Sequence, residues 1–269
     1  MEAWERAEQA ARAAGVTLRP VASATDADQL LHVMAETWGD HALVPRDMVL
    51  ALAESGNAPY GAFAADRMIG FVLGWAGVTT EDGLHAHSHM LAALPDRRHA
   101  GVGYALKLAQ RAHCLDRGIG LVRWTFDPLV ARNAWFNLVK LGASADRFVP
   151  AFYGEMRDSL NAGDRSDRLL VRWRLDREPT GPRPPAGQVV LDAEGDPERP
   201  HPGAVRPPVG HPALIRIPRE YQRMREEDRV LADAWREATG EAFRACFDAG
   251  LIVTGFTADS AYVLEEAGG

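Results

Sequence analysis

Hydrophobic and polar positions follow two periods along this chain, and the period changes from segment to segment. Apolar residues three and four positions apart predict helices, and apolar residues at alternate positions or in short runs predict strands. The predicted helices cover 2–14, 26–38 (capped by Asp26), 45–54, 103–117, 131–141 and 220–249. The predicted strands cover 16–21, 60–64, 68–74, the histidine-rich segment from His85, 119–126, 167–175, 213–217, 251–257 and 262–265. This alternation predicts an α/β (α+β) fold with its main sheet in 16–175.

Proline content marks a change in organisation. Ten of the 17 prolines lie in 176–212, so this segment is predicted to be a linker with a short strand at 188–191. The sequence thus divides into a domain over 1–175, a Pro-rich linker over 176–212 and a β-α-β-β module over 213–269. The apolar face of the module's helix must be buried, so we expect the module to be ordered and to pack on the core or on a second subunit.

Composition excludes several classes of protein. A net charge of −7 argues against nucleic acid and anionic membrane as partners, and no apolar run reaches the ~20 residues that a bilayer span needs. The charged N-terminal segment does not resemble a secretion signal. Two cysteines, Cys114 and Cys246, provide neither a disulfide framework nor a thiolate metal site. We therefore expect a cytoplasmic globular protein.

The segment from His85 to Gly103 carries the most distinctive chemistry. His85, His87 and His89 are two positions apart on a predicted strand, so their imidazoles are expected on one face. The strand leads into a glycine turn that opens a helix, and the free N–H groups of a helix start suit a phosphate or pyrophosphate. An anion site beside imidazoles indicates a phosphate-bearing cofactor and a proton transfer.

The turn Arg98-His-Ala-Gly101-Val-Gly103 resembles the pattern Gln/Arg-x-x-Gly-x-Gly/Ala, which opens the acyl-CoA-binding helix of GNAT-superfamily N-acyltransferases. The order of elements over 16–175 also matches that superfamily. The resemblance implies a GNAT-like mixed central sheet flanked by helices and acetyl-CoA or another acyl-CoA as donor. It implies donor contacts at Leu91, Ala92, Ala93, Arg98, His99, Ala100, Gly101, Val102, Gly103, Tyr104 and Asn133. Asn133 could equally be a polar residue in the first turn of its helix.

The segment His87-Ser-His89-Met-Leu-Ala-Ala resembles the paired histidines of arylalkylamine N-acetyltransferases. The resemblance implies that His87 and His89 relay the proton of the acceptor amine, so activity is predicted to rise through a pKa near neutrality. Two alternatives stay open: the histidines are hydrogen-bonded core residues, or they share a metal ion. A metal site would need a third ligand that no nearby spacing supplies, so we predict no metal.

One position departs from the superfamily pattern. Many members have a tyrosine four residues before the equivalent of Gly142, where it protonates the departing thiolate; this chain has Leu138 there. Tyr153, Tyr104 or solvent would then supply the proton, and we favour Tyr153.

Asp127, at the end of a predicted strand, has two interpretations. It orients an amine or an imidazole, or it forms the turn before its proline.

Two functions follow from these features. The first is transfer of an acetyl or other small acyl group, such as succinyl, from CoA to a small amine or amino acid. The other is a non-catalytic acyl-CoA-binding protein that acts as a sensor or assembly subunit. Either is compatible with a homodimer.

Overall fold

The computed structural model describes residues 2–40, 44–97, 100–156, 158, 163–184 and 186–267. Contacts divide the chain into two compact units, one made of Met1–Trp124 and Arg157–Gly163, the other of Thr125–Met156 and Asp164–Gly269. The division falls near the end of the fifth strand. No helix in the described ranges is long and apolar enough to cross a bilayer.

The first unit is a five-stranded sheet with helices packed on it. Its helices are α1 (Glu2–Ala13), α2 (Ala24–Trp38), α3 (Arg46–Leu52) and α4 (Val102–Leu115), and a π-helical turn follows α3 at Ala53–Asn57. Its strands, in sheet order, are β1 (Thr17–Pro20), β2 (Tyr60–Ala64), β3 (Arg67–Thr79), β4 (Gly83–Ala93) and β5 (Leu121–Phe126). The first four strands pair antiparallel, and β5 pairs parallel with β4.

The core of the first unit lies between the sheet and its helices. Phe63 and Phe71 of the sheet are fully buried together with Leu30 and Met34 of α2 and Leu106 of α4. Burying an apolar side chain of this size contributes about 1.5–3 kcal/mol, so these contacts fix how the helices lie on the strands.

The second unit is built on a six-stranded sheet. Its strands, in sheet order, are β7 (Arg168–Arg174), β6 (Ser144–Val149), β12 (Leu251–Phe256), β13 (Ala261–Glu266), β11 (Ala213–Arg216) and β8 (Gln188–Leu191). Its helices are α5 (Ala131–Ala134), which continues as a π-helical segment at Trp135–Lys140, α6 (Tyr221–Glu227) and α7 (Arg229–Asp248). A short ladder joins β9 (Ala193–Glu194) to β10 (His201–Pro202).

The predicted fold class is confirmed, including the C-terminal strand–helix–strand–strand order. Two details of the predicted helices were wrong. Ser23, not Asp26, caps α2, because the Asp26 amide donates to Ser23 Oγ at 3.1 Å and the Asp26 carboxylate pairs with Arg19. The predicted helix over 220–249 is broken at Asp228, whose side chain accepts from the Leu231 amide at 3.0 Å and starts α7 anew.

The segment 176–212 contains more than a linker. The strand predicted at 188–191 is confirmed as β8, and it pairs in parallel with β11 in the sheet of the second unit. Val190 and Leu191 are fully buried. The contact division at Trp124 and Thr125 also differs from the predicted domain boundaries at 175 and 212, and these boundaries stay a prediction.

Candidate acyl-transfer site

Strand β4 is irregular where its histidines lie. Leu73 of β3 pairs with Met90 and the next residue, Gly74, pairs with Ser88, so His89 has no opposing residue. Such a bulge adds one residue to a strand and redirects its side chains. His85 is buried, His87 is half-buried and His89 is exposed. The histidines therefore differ in their access to solvent, which strict alternation does not predict.

Trp75 joins two of these histidines in a cluster of rings. It lies opposite His87 on β3, and the ring centroids of Trp75 are 4.9 Å from His87 and 5.2 Å from His89. The two imidazole centroids are 5.8 Å apart. His85 makes a different contact: its Nδ1 lies 3.0 Å from the carbonyl oxygen of Gly83, within hydrogen-bond distance. His87 and His89 thus form a pair of neighbouring imidazoles, and His85 has the environment of a structural histidine.

Desolvation by the surrounding protein lowers the pKa of both histidines of this pair. Desolvation is the main cause that lowers the pKa of His87 to about 4, and the neighbouring His89, His85, Arg123 and Lys107 contribute to the same shift. Burial also lowers the pKa of His89. The pKa of His87 thus lies below the neutral range, because crowded imidazoles in a desolvated site resist protonation. The rise of activity through a pKa near neutrality stays a prediction.

Two cations lie close to this pair. Arg123 of β5 pairs with His87 in the sheet register and forms an ion pair with Asp82, whose side chain is fully buried. Lys107 of α4 is buried, donates to Ser88 Oγ at 3.1 Å, and lies 3.8 Å from the ring of Trp124. Burial lowers the pKa of Lys107 to about 7. Positive charge around β4 opposes a further proton on His87.

The glycine turn has the geometry of an anion site. Gly101 is in the left-handed region with φ of 84°, precedes α4 as its N-cap, and makes no side-chain cap hydrogen bond. Within the part of the chain that the structure describes, no side chain caps the helix start, whose N–H groups are suited to an anion. A Cβ on Gly103 would meet only Leu91 Cδ2, at an ordinary 3.7 Å. Packing within the protein does not require glycine at position 103.

The other predicted donor contacts flank this turn. Leu91, Ala92 and Ala93 end β4 and pair with Val72, Phe71 and Gly70 of β3, whereas the described pairing with β5 lies further back, at Ala86 and His87. Ala100 is exposed in the turn, Val102 is buried beneath it and Tyr104 is half-buried in the first turn of α4. Arg98 and His99 lie outside the described residues.

Tyr153 belongs to an exposed turn of the second unit. Its hydroxyl lies 3.1 Å from Thr125 Oγ1, and its ring is 42% exposed. Buried Ser166 holds the turn, because its hydroxyl accepts from the Tyr153 amide and donates to the Gly154 carbonyl. Tyr153 is thus an exposed residue on a backbone that Ser166 holds. Its role as an acid stays a prediction.

Leu138 and Asn133 have contrasting environments. Leu138 is 1% exposed in the π-helical segment after α5, so a leucine of the core occupies the position of the superfamily tyrosine. Asn133 is exposed on α5, where its side chain is accessible to a ligand. Its donor contact also stays a prediction.

Asp127 has a partner that the sequence did not indicate. Arg236 of α7 donates to both carboxylate oxygens of Asp127, at 2.7 Å and 2.5 Å, so this aspartate is engaged in an ion pair within the second unit. Arg236 lies 109 residues away in sequence, and a single arginine on an amphipathic helix gives no signal of such a contact.

Among the described residues, no group of three His, Cys, Asp or Glu side chains is placed to hold a metal ion.

Comparison with solved structures finds proteins whose structures are similar to part of this chain. A Desulfovibrio desulfuricans protein assigned to the GNAT family of acetyltransferases is 21% identical, with a TM-score of 0.45 over 60% of this chain and 99% of that chain. Chaetomium thermophilum Naa20, in complex with a bisubstrate analogue, is 19% identical, with a TM-score of 0.47 over 59% and 86%. The ribosomal-protein-S18-alanine N-acetyltransferase of Escherichia coli is 14% identical, with a TM-score of 0.44 over 61% and 97%.

No protein-family model matches the chain, and no curated protein matches it. The first of these structures is assigned to the superfamily that the glycine-turn motif resembles. The likenesses cover about three fifths of the chain. The chemistry below is argued from this chain's own residues.

Proposed function

We propose that this protein is an acyl-CoA-dependent N-acyltransferase. One observation carries the proposal: the start of α4, which no described side chain caps, and a pair of imidazoles with lowered pKa values lie along one strand–turn–helix unit. Leu91, two residues after His89, lies within ordinary contact distance of a Cβ built on Gly103, so the strand end and the helix start are adjacent. The resemblance of the turn to the acyl-CoA-binding motif supports the same function.

The donor would bind through its pyrophosphate and its pantetheine arm. The N–H groups of Val102, Gly103 and Tyr104 face outward from the first turn of α4 and would hold the pyrophosphate, with Arg98 and His99 as further contacts. The arm would follow the end of β4, where a backbone N–H of Leu91, Ala92 or Ala93 would polarise the thioester carbonyl. The resemblance of the turn also implies Asn133, which is exposed on α5, as a contact of the arm.

The histidine pair would pass the proton of the amine on to solvent and would not retain it. With a pKa of about 4, His87 is neutral at pH 7 and cannot hold the amine's proton at equilibrium. It can accept the proton transiently as the C–N bond forms and pass it to exposed His89, directly or through water, and then to solvent. The C–S bond then breaks and CoA leaves as a thiolate.

The proton for the thiolate would come from Tyr153 or from solvent. The buried side chain of Leu138 cannot provide it. The accessible Tyr153 hydroxyl is a chemically suitable acid. The acyl group would be acetyl or another small acyl group such as succinyl, and the acceptor a small amine or amino acid.

A thiol-release assay tests this function. Acetyl-CoA and succinyl-CoA would each be incubated with a panel of amines and amino acids, and free CoA measured over time. We expect release that depends on acceptor, with His87→Ala and His89→Ala slower while CoA binding persists. CoA binding without release from any pair would instead favour a non-catalytic acyl-CoA-binding protein, a candidate supported by the buried Leu138. Absence of CoA binding would contradict both functions.

A further inference from the structure

A cavity of the first unit lies beside β3, next to the π-helical turn that follows α3. Strand β2 begins at Tyr60, which pairs with Val72, and no described pairing joins the later residues of β3 to β2. Asn57, at the end of the π-helical turn, covers part of this edge, because its Oδ1 accepts from the Ala76 amide at 2.7 Å. Short π-helical segments are frequent at functional sites. The space that remains between this turn, β3 and the end of α4 forms the cavity.

The cavity has a narrow inner part and a wide outer part. The inner pocket has a volume of about 50 Å³, and Val72 and Ile119 are among its apolar lining residues. The outer groove has a volume of about 680 Å³ and runs along α3 and the π-helical turn. Tyr60, His113 and Arg117 line both parts, so the two parts adjoin at these residues. A groove of this size is within the usual range for a small-molecule site, about 300–1,000 Å³.

Tyr60 and His113 form a polar boundary between the two parts. The Tyr60 hydroxyl lies 3.4 Å from His113 Nδ1, and the two rings meet edge to face with their centroids 5.4 Å apart. Burial raises the pKa of Tyr60 and lowers the pKa of His113. Both shifts favour the uncharged form of the group, so the charges of a ligand would be met by other residues of the cavity.

Two exposed residues of opposite charge line the outer groove. Arg117 follows the end of α4, and its guanidinium donates to the His113 carbonyl at 3.3 Å. Glu54 lies in the π-helical turn. Leu50 of α3 and several small apolar residues form much of the remaining wall. A ligand with a carboxylate, an ammonium group and an apolar body would complement such a groove.

Strand β3 separates this cavity from the histidine pair. A Cβ built on Gly74 would meet Gln110 Nε2 of α4 at 3.1 Å, and both residues line the inner pocket, so the pocket lies on the α4 face of the sheet. Ser88 pairs with Gly74 and shares this face, so the neighbouring His87 points to the opposite face. Trp75 borders the pocket too, but its ring packs against His87. The glycine turn is at the other end of α4, a helix of 14 residues and thus roughly 20 Å long.

We propose that this cavity is a second ligand site of the first unit and binds a free amino acid with a branched aliphatic side chain. The carboxylate would pair with Arg117 and the ammonium group with Glu54, and the side chain would pass Tyr60 and His113 into the inner pocket. The pocket's volume of about 50 Å³ holds roughly three to five water-sized groups, which suits the side chain of valine, leucine or isoleucine and excludes an aromatic ring. The site lies beyond the proposed function and does not depend on it.

Calorimetric titration of the full chain with four compounds tests the choice of ligand. L-leucine has all three features, 4-methylpentanoate lacks the ammonium group, 3-methylbutylamine lacks the carboxylate, and L-phenylalanine has an aromatic side chain. We expect L-leucine to bind and each of the other compounds to bind at least about tenfold more weakly. Each of them loses a charge-assisted contact or exceeds the inner pocket.

Variants of the two charged residues test the location of the site. Arg117 and Glu54 are both exposed, so replacing either with glutamine should leave the fold intact. Arg117→Gln and Glu54→Gln should each weaken L-leucine binding by about fivefold to tenfold. Arg12→Gln is the matched control, because Arg12 is an exposed arginine of α1 that lines neither part of the cavity; it should stay within about twofold of wild type. L-leucine should also slow amide exchange over 53–58 and 113–117.

Absence of L-leucine binding at millimolar concentration would overturn the proposal. Binding that neither Arg117→Gln nor Glu54→Gln weakens, or that Arg12→Gln weakens equally, would also overturn it, because the amino acid would then bind elsewhere or respond only to net charge. Equal affinity for L-leucine and either singly charged compound would contradict the pairing with both charges. Affinity for L-phenylalanine equal to that for L-leucine would contradict the use of the inner pocket. A protein that binds no CoA but binds L-leucine as expected would lose the proposed function and keep this site.

Discussion

The Gly103→Val variant tests whether the start of α4 binds an anion, because the substitution should weaken that binding and leave the stability of α4 nearly unchanged. Residue 103 is the second residue of the helix, where glycine is the weakest helix former apart from proline. Valine is better than glycine in a helix by roughly 0.3 kcal/mol on the usual scale. The new Cβ would lie 3.7 Å from Leu91 Cδ2, and no other described atom outside the local helix would lie within 4 Å. We therefore expect Tm to stay within about 2 °C of wild type.

The effect on CoA should be much larger than the effect on stability. A valine side chain at this position would occupy the space over the helix start and keep the phosphates from the N–H groups. A hydrogen bond to a charged group contributes about 1.5–3 kcal/mol, so losing one such bond weakens binding by about tenfold to a hundredfold. Calorimetric titration with CoA measures this loss directly.

Gly103→Ala is the matched control, since the turn motif that the sequence resembles has either glycine or alanine at this position. Alanine should raise the free energy of unfolding by up to about 1 kcal/mol and preserve CoA binding. Equal CoA affinity in Gly103→Val and wild type would refute the assignment of the phosphates to this turn. A fall in Tm of many degrees in either variant would refute the helical geometry at residue 103.

Three further predictions follow from the structure. His87→Ala and His89→Ala should each lower kcat by about tenfold to ten-thousandfold, the range for acid–base groups, while CoA affinity persists; unchanged turnover in the double variant would remove both from the mechanism. Because the pKa of His87 is about 4 in the folded protein and 6.5 in the unfolded chain, unfolding takes up a proton between these values, so stability should fall as pH decreases from 6.5 to 4. Urea denaturation should show a smaller fall for His87→Gln, and equal falls would contradict the lowered pKa. Gly142→Ala should lower Tm more than Gly118→Ala does: both glycines have positive φ, but only at Gly142 would the Cβ come within 2.8 Å of Pro179 Cα, whereas Gly118 has open space. Equal Tm losses would contradict that close approach.

Local patterns predicted most of the elements of this fold. The helix before Gly15, the hairpin at 60–74, the histidine-rich strand and the C-terminal hairpin all carry regular periodicity, and each is present in the structure. Strand β6 at 144–149 was not predicted, because Asp146 and Arg147 interrupt its apolar pattern. Strand β3 extends five residues beyond its predicted end at Gly74, where glycines weaken the strand signal.

The site was harder to predict where it depends on tertiary contacts. The glycine turn and the histidine pair are local, so their sequence spacing was informative. The bulge at His89 depends on pairing with β3, and the low pKa of His87 depends on burial and on the neighbouring His89, His85, Arg123 and Lys107. The contact of Arg236 with Asp127 joins residues far apart in sequence, which no local pattern reports.

The most direct test of the central claim compares CoA with pantetheine in calorimetric titrations of the wild-type protein. Pantetheine has the thiol arm but lacks the pyrophosphate and the nucleotide. If the start of α4 holds the pyrophosphate, CoA should bind at least about a hundredfold more tightly, since several charge-assisted hydrogen bonds are absent with pantetheine. Absence of CoA binding, or equal affinity for the two compounds, would contradict an acyl-CoA site at this turn.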